Sequence, residues 1–345
     1  MRAVVLWFRQ LDAWVRRLFV LSSLIAVLGA VLVYTPTPYY VTAPGAAIDT
    51  SRLVTVENGD VHRGHLYLLV VNTQPANLFW YLYAQVDRRA VLETKEQYLG
   101  SFESYAEYLD WNRQLMTDSQ RTARAVAFQQ LGFGEGVRSV GARVVGVLAD
   151  SPVRDLLHAG DVIVAVAGEP VTGSESLRSR MAGIPGGEEV PVTVLRGGGE
   201  VTLTLPTRAS QEAGREGSAV FGITIQDELE FDDDAVPVEI RSGSIFGPSA
   251  GLMFTLQIID QLTPGGLTDL VVAGTGTIEP DGRVGRIGGV QQKVYTAEAA
   301  GADLMFVPRG NYEEAIAVAT RVQVVPVDHV RDALEWLRAA GPQGG

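Results

Sequence analysis

Residues Leu18 to Tyr34 form an uninterrupted apolar run without a single charge, and that run decides where the rest of the chain can fold. At ~1.5 Å per residue it reaches about 26 Å, near the lower limit for crossing a bilayer core. Arg2, Arg9, Arg16 and Arg17 precede it, while Pro36, Pro38, Tyr39 and Tyr40 follow Tyr34. The arginine asymmetry places the N-terminus inside, and the tyrosines suit an interfacial belt. The expectation is a cytoplasmic N-terminus over 1–17 and an uncleaved, single-pass transmembrane helix over 18–35 in the cell membrane. Everything after about residue 40 is then extracytoplasmic. A signal peptide cleaved near Val41-Thr42-Ala43 competes, but that site lies far from the apolar run, with prolines between. A buried core helix is the plainest reading, yet apolar character all round is unusual in a soluble helix.

The 345 residues suit two or three domains, and 46% hydrophobic against 20% charged residues is the balance of a core-forming chain. A net charge of −12 argues against a nucleic-acid partner, which needs clustered positive charge. There is no cysteine, so disulfides, thiolate metal sites and cysteine nucleophiles are excluded. The four histidines form no HExxH pattern, and His62 and His65 read as solvated loop residues rather than a metal pair. No metal or cofactor is expected. Of 28 basic residues only Lys95 and Lys293 are lysines, and neither follows a glycine, so no Walker A loop is encoded.

Residues 41–100 alternate apolar and polar positions and predict strands, with turns at Asn58-Gly59 and Gln74-Pro75. Residues 103–131 lack Gly and Pro and predict a helix stopped by Gly132. From about Val140 to Arg208 a strand at Ala142–Leu148 leads through a Ser151-Pro152 turn, a short helix at Val153–His158 and Gly160-Asp161 to an alternating strand. A helix at Ser174–Met181 and a hairpin turning at Gly197–Gly199 follow. This stretch resembles a PDZ domain of the bacterial type. The resemblance implies that an extended peptide adds to a sheet edge, docking along Ala142–Val147 after the loop at Gly141. Gly141, Ala142, Arg143, Val144 and Val145 are the candidate docking residues; a purely structural β-domain is the alternative. The acidic run Asp227–Asp234 lacks the spaced ligands of a calcium loop and reads as a solvated turn between strands.

The C-terminal portion alternates strands, the first at Phe221–Gln226, with helices. Gly247-Pro248-Ser249-Ala250-Gly251 opens a helix there. Ser249 therefore sits at a helix N-terminus, where the amides of Ser249 and Ala250 could hold an oxyanion. Serine is also a favoured N-cap, and alone Ser249 would more often be one. Lys293 closes Gly288-Gly289-Val290-Gln291-Gln292-Lys293 in the first turn of a later helix. A solvent-facing lysine is the plain reading, but in a chain with 26 arginines a retained lysine points to something arginine cannot do. Only lysine can shed its proton and act as a base.

These blocks, with Ala273-Gly274-Thr275-Gly276-Thr277-Ile278 between them, resemble the proteolytic domain of Lon-type proteases. The resemblance implies Ser249 as nucleophile, Lys293 as general base and Thr275 as a threonine beside the lysine. Two positions depart from the ATP-dependent enzymes: Thr277 replaces an acidic residue, and Ile245-Phe246 replaces Lys-Asp. The whole order is similar to the membrane-anchored PDZ–Lon-like proteases of Gram-positive bacteria. The expected fold is a multidomain α+β chain: the transmembrane helix, a mixed α/β segment at 41–135, a PDZ domain at 139–208 and a Lon-like proteolytic domain at 218–340. The expected function is a membrane-anchored, ATP-independent serine endopeptidase acting on extracytoplasmic proteins or peptides. A non-catalytic PDZ/Lon-like scaffold is the alternative. Lon-like domains often form rings, which makes a homo-oligomer a further expectation.

Overall fold

The computed structural model describes residues 12–100, 102, 104–133, 137–148, 150–211, 216–231 and 236–340. Arg2 and Arg9, and with them most of the expected cytoplasmic segment, lie outside the described residues, as do Asp232–Asp234 of the acidic run.

The apolar run begins a turn earlier than its composition suggests: the helix spans Ala13–Tyr34, 22 residues, and buries none of its side chains. One residue later the chain enters strand Pro36–Asp49. This strand lies in a six-stranded sheet ordered Gln323–Val327, Leu304–Pro308, Val271–Gly274, His65–Asn77, Pro36–Asp49, Val91–Thr94. The first four run parallel to their neighbours and the last two are antiparallel. Half of the sheet therefore comes from the segment before residue 100, so that segment is not a separate layer. Gln74-Pro75 is no turn: Gln74 pairs with Val41 and Pro75 with Tyr40, inside a long strand.

Both sheet faces are covered, which is why Leu304-Met305-Phe306-Val307-Pro308 is buried throughout instead of alternating. One face packs Leu66, Leu68 and Phe306 against Phe254, Leu256 and Ile258 of helix Gly251–Leu262. The other sets Leu69, Ala273 and Met305 against Val290, Val294 and Ala297 of helix Val290–Ala299. Helix Gly251–Leu262 is enclosed from Gly251 to Gln261 and so apolar on nearly every side. Its buried amides are satisfied: Gln257 accepts from Thr50 at 2.6 Å, and Gln261 both accepts from Val56 N and donates to Val54 O.

The expected 103–131 helix spans Tyr105–Gln130, started by Ser104, whose hydroxyl accepts from Glu107 N. Small residues on its inner face allow close approach to the Gly251 helix: a Cβ on Gly251 would lie 2.8 Å from Ser119 Oγ and 2.6 Å from Ile278 Cγ2.

The middle of the chain folds around its own core of Val144, Ile163, Val192, Leu205 and Phe221. Its sheet runs Ile223–Phe231, Val137–Val147, Val162–Val166, Glu189–Arg196, Gly199–Pro206. The strand expected at Phe221–Gln226 thus belongs to this sheet and not to the C-terminal one. The Val153–His158 stretch forms turns rather than a helix. Asp161, 3% exposed, would be raised by burial, but the Arg196 guanidinium at 2.6 Å and the His158 amide hold its carboxyl below the usual range.

The acidic run is not a solvated turn where it is described. Asp227 accepts from Ser174 N, and Glu228 joins an ion network that fastens this sheet to helix Tyr105–Gln130. Arg121 and Arg143 both pair with Glu228 at 2.8 Å, and Arg143 also pairs with Asp118, whose side chain is 2% exposed. Arg143→Leu would leave that carboxylate buried and unpaired. It is expected to cost on the order of 3 kcal/mol, read as a lower urea midpoint. An unchanged midpoint would mean that Asp118 finds solvent without its partner.

Candidate active site

Gly247 takes φ +89°, a left-handed conformation that turns the chain into the 3₁₀ turn Pro248–Ala250 ahead of helix Gly251–Leu262. Gly247 N donates to Asn112 O, and Ser119 Oγ donates to Pro248 O. Helix Tyr105–Gln130 therefore holds the turn from outside. Ser249, half-buried, projects from it; its amide and that of Ala250 lie at the opening of the helix.

Lys293 reaches the same point from the opposite face of the sheet. Its Nζ lies 2.9 Å from Ser249 Oγ and 2.8 Å from Thr275 Oγ1. Lys293 is 2% exposed and Thr275 fully buried. Burial lowers the Lys293 ammonium from its ordinary 10.5 to about 7 by stripping its hydration, and among the described residues no carboxylate pairs with it. The three residues separated in sequence are thus brought into one hydrogen-bonded set.

The direction of these bonds follows from the carbonyl in the set. Thr275 Oγ1 lies 3.2 Å from Ser249 O, an acceptor only, so the threonine hydroxyl donates there. Towards Lys293 the threonine oxygen must accept, which occupies an N–H of the amine. When Lys293 is neutral, its lone pair is then free to face the Ser249 hydroxyl. Backbone bonds fix the frame: Gly276 N donates to Ser249 O, and Leu252 N to Gly276 O.

The site opens into a cleft of about 790 Å³. Part of its wall comes from residues that sequence reasoning did not single out: Glu93, Tyr98, Tyr105, Tyr108 and Asn112, all N-terminal to the middle domain. Tyr98 and Tyr108 lie 4.9 Å apart between ring centroids, and Tyr40 stacks on Tyr98 at 4.6 Å. The richness of this region in tyrosine was the available signal, but only the fold shows which way it faces.

The peptide-docking expectation is corrected. Residues 141–145 lie in an interior strand: Ile223–Phe231 pairs along one edge, and Ala142 and Arg143 pair with Ile163 and Val162 on the other. Gly141 is in the strand rather than a loop, a Cβ there would lie 2.9 Å from Ile163 O, and Arg143 is engaged by Asp118. A backbone already bonded on both sides cannot accept an added strand. Among the described residues no strand pairs with the outer edge of Ile223–Phe231. Beside it runs a second cleft of about 580 Å³, lined by Leu177, Met181, Phe221, Ile223 and Ile225.

Residues 216–338 match the family model of the Lon protease (S16) C-terminal proteolytic domain, and residues 118–207 match that of the PDZ domain. Among curated proteins, the Lon protease of Desulfatibacillum aliphaticivorans is 31% identical over 163 residues, 44% of this chain and 20% of that protein. The Lon protease of Clostridioides difficile is 30% identical over 162 residues, 43% of this chain and 20% of that protein. The chain spans about a fifth of the length of these relatives. Among solved structures, the PDZ domain of the SdrC-like protein from Listeria monocytogenes shares 26% identity at a TM-score of 0.23, covering 25% of this chain and 87% of that one. The chain thus carries a Lon-type C-terminal proteolytic domain and a PDZ domain on one polypeptide.

Proposed function

We propose that the chain is a membrane-anchored serine endopeptidase that hydrolyses peptide bonds of extracytoplasmic proteins without ATP. The observation that carries this reading is the Lys293 amine, buried and held at once by Ser249 and Thr275. Neutral Lys293 takes the proton of Ser249 as Oγ attacks the scissile carbonyl, and the resulting ammonium later gives that proton to the leaving amine. Water then repeats the sequence on the acyl-enzyme. The amides of Ser249 and Ala250 receive the oxyanion at the helix opening. Thr275 acts by positioning: its bond to Ser249 O sets which side of the amine faces the serine.

Within these 345 residues neither lysine follows a glycine as a Walker A loop requires, which supports the reading without ATP. The proposed anchor is helix Ala13–Tyr34, and Arg16 and Arg17 at its start support an orientation with the catalytic part outside. We assign peptide recognition by the PDZ domain to the edge of Ile223–Phe231 facing helix Ser174–Ala182.

The test is turnover of casein or a fluorogenic peptide by the purified chain without nucleotide. A reactive-serine probe should label the wild type and not Ser249→Ala; labelling of both would overturn the assignment. Thr275→Val is expected to lower kcat/KM by about 10–100-fold, roughly 1.4–2.7 kcal/mol, while Thr275→Ser keeps most of the activity. Full activity in Thr275→Val with loss only in Thr275→Ser would show that the threonine methyl, not its hydroxyl, is what matters.

A further inference from the structure

We infer that helix Leu78–Val86 is a second membrane contact, seated in the interfacial layer of the bilayer beside the span. The inference rests on the reading of Ala13–Tyr34 as that span.

The helix has nine residues and no charge. It starts where the apolar helix ends. Asn77 Nδ2 donates to Val33 O at 2.9 Å, Leu78 N donates to Thr35 O at 2.9 Å, and Asn77 Oδ1 caps the new helix by accepting from Trp80 N. Its inner side, Trp80 and Ala84, packs on Val41, Ala76 and Ala90. The outer side presents Phe79, Leu82, Tyr83 and Val86, which are 45, 48, 37 and 85% exposed. Their spacing of three, four and seven residues from Phe79 puts all four on one helical face.

Facing water, such a row would be an unexplained apolar patch on a surface where helices place polar residues. Its continuity with the span supplies the occupant. Phe79, Leu82 and Val86 suit the acyl boundary, and Tyr83 and the Tyr39–Tyr81 pair, 5.3 Å apart, suit the headgroup level. Asp87 follows and pairs with Arg89 at 2.8 Å, and exposed Arg88 between them lies where lipid phosphates would.

The seat bears on the catalytic cleft. The next strand, Val91–Thr94, contributes Val91 and Glu93 to the cleft wall, and Gln292, the neighbour of Lys293, donates to Arg89 O at 3.1 Å. A protein held at two points, the span and this helix, carries its cleft in a fixed attitude to the membrane instead of swinging on one tether.

The chain has no cysteine, so single probes can be placed at will. Full-length Leu82→Cys and Val86→Cys variants carrying an environment-sensitive fluorophore are reconstituted in phosphatidylcholine–phosphatidylglycerol vesicles. Ile25→Cys reports the span, and Val61→Cys, on a residue 84% exposed, reports water. Spin-labelled lipids are expected to quench probes at 82 and 86 several-fold more than the probe at 61, best with shallow labels, and the probe at 25 best with deep ones. Quenching at 25 but not at 82 or 86 overturns the inference and leaves the span standing. Loss of quenching at all of these positions removes the span and the inference together. Quenching at 82 and 86 without 25 removes the span and overturns the inference as a seat beside it. Probes at 82 and 86 shielded from aqueous iodide yet unquenched by lipid would mean that protein, such as a second copy, covers the face, and would overturn the inference.

Discussion

Ser249→Ala and Lys293→Arg are each expected to lower peptide turnover by at least about 10⁴-fold, to near background. The two losses should be alike because nucleophile and base act as one unit, so the double variant should be little worse than either. Lys293→Arg preserves charge and much of the volume, and on a solvent-facing lysine it would be silent. Here the guanidinium cannot shed a proton, so Ser249 keeps its own. Lys293→Met separates chemistry from stability. It should be equally inactive yet more stable near pH 7, by on the order of 1–3 kcal/mol, because a buried amine is replaced by an apolar group. The gain stays below the full desolvation cost because the Ser249 and Thr275 hydroxyls lose a partner. Activity of Lys293→Arg equal to wild type would sink the dyad and return the scaffold reading to favour.

The Ser249–Lys293 pair stood out as a candidate because its signal is chemical. Lysine is rare in this chain, Ser249 stands at a Gly-Pro turn, and the motif blocks around them occur in order. Their meeting depends on a sheet that the order of elements does not disclose. Strands before residue 100 and after residue 270 lie side by side, Val271 registering with His65 and Gly274 with Leu68, although the PDZ sheet intervenes in sequence. Local periodicity carries no record of such pairing. Alternation likewise marked the strand through 142–147 without revealing that both its edges are taken, since which edge stays open is a property of the sheet. Pro75 misled for a different reason. The parallel partner of its strand stops at Leu68, so among the described residues Pro75 meets a ladder on one edge only, where proline is tolerated better than between two strands. The tyrosines of the cleft wall were visible as residues, but their common focus on Ser249 is set by tertiary packing alone.

Turnover is expected to depend on pH through Lys293 itself. With its amine lowered to about 7, kcat/KM should fall about tenfold per pH unit below that value and level off above it. An ordinary lysine near 10.5 would instead leave activity climbing throughout the alkaline range. The same shift fixes a sign for stability. Between about pH 7 and 10.5 the unfolded chain binds a proton at this position that the folded chain does not, so this group makes stability rise with pH across that window. At and below pH 7 its unfavourable contribution is full, and above 10.5 it has vanished. Thermal unfolding of wild type and Lys293→Met at pH 6, 8 and 10 should therefore show curves that converge as pH rises. A pH-independent gap between them, together with activity that keeps climbing without levelling through pH 10, would give the amine an ordinary lysine's proton affinity and take away the lowered base on which the proposed chemistry depends.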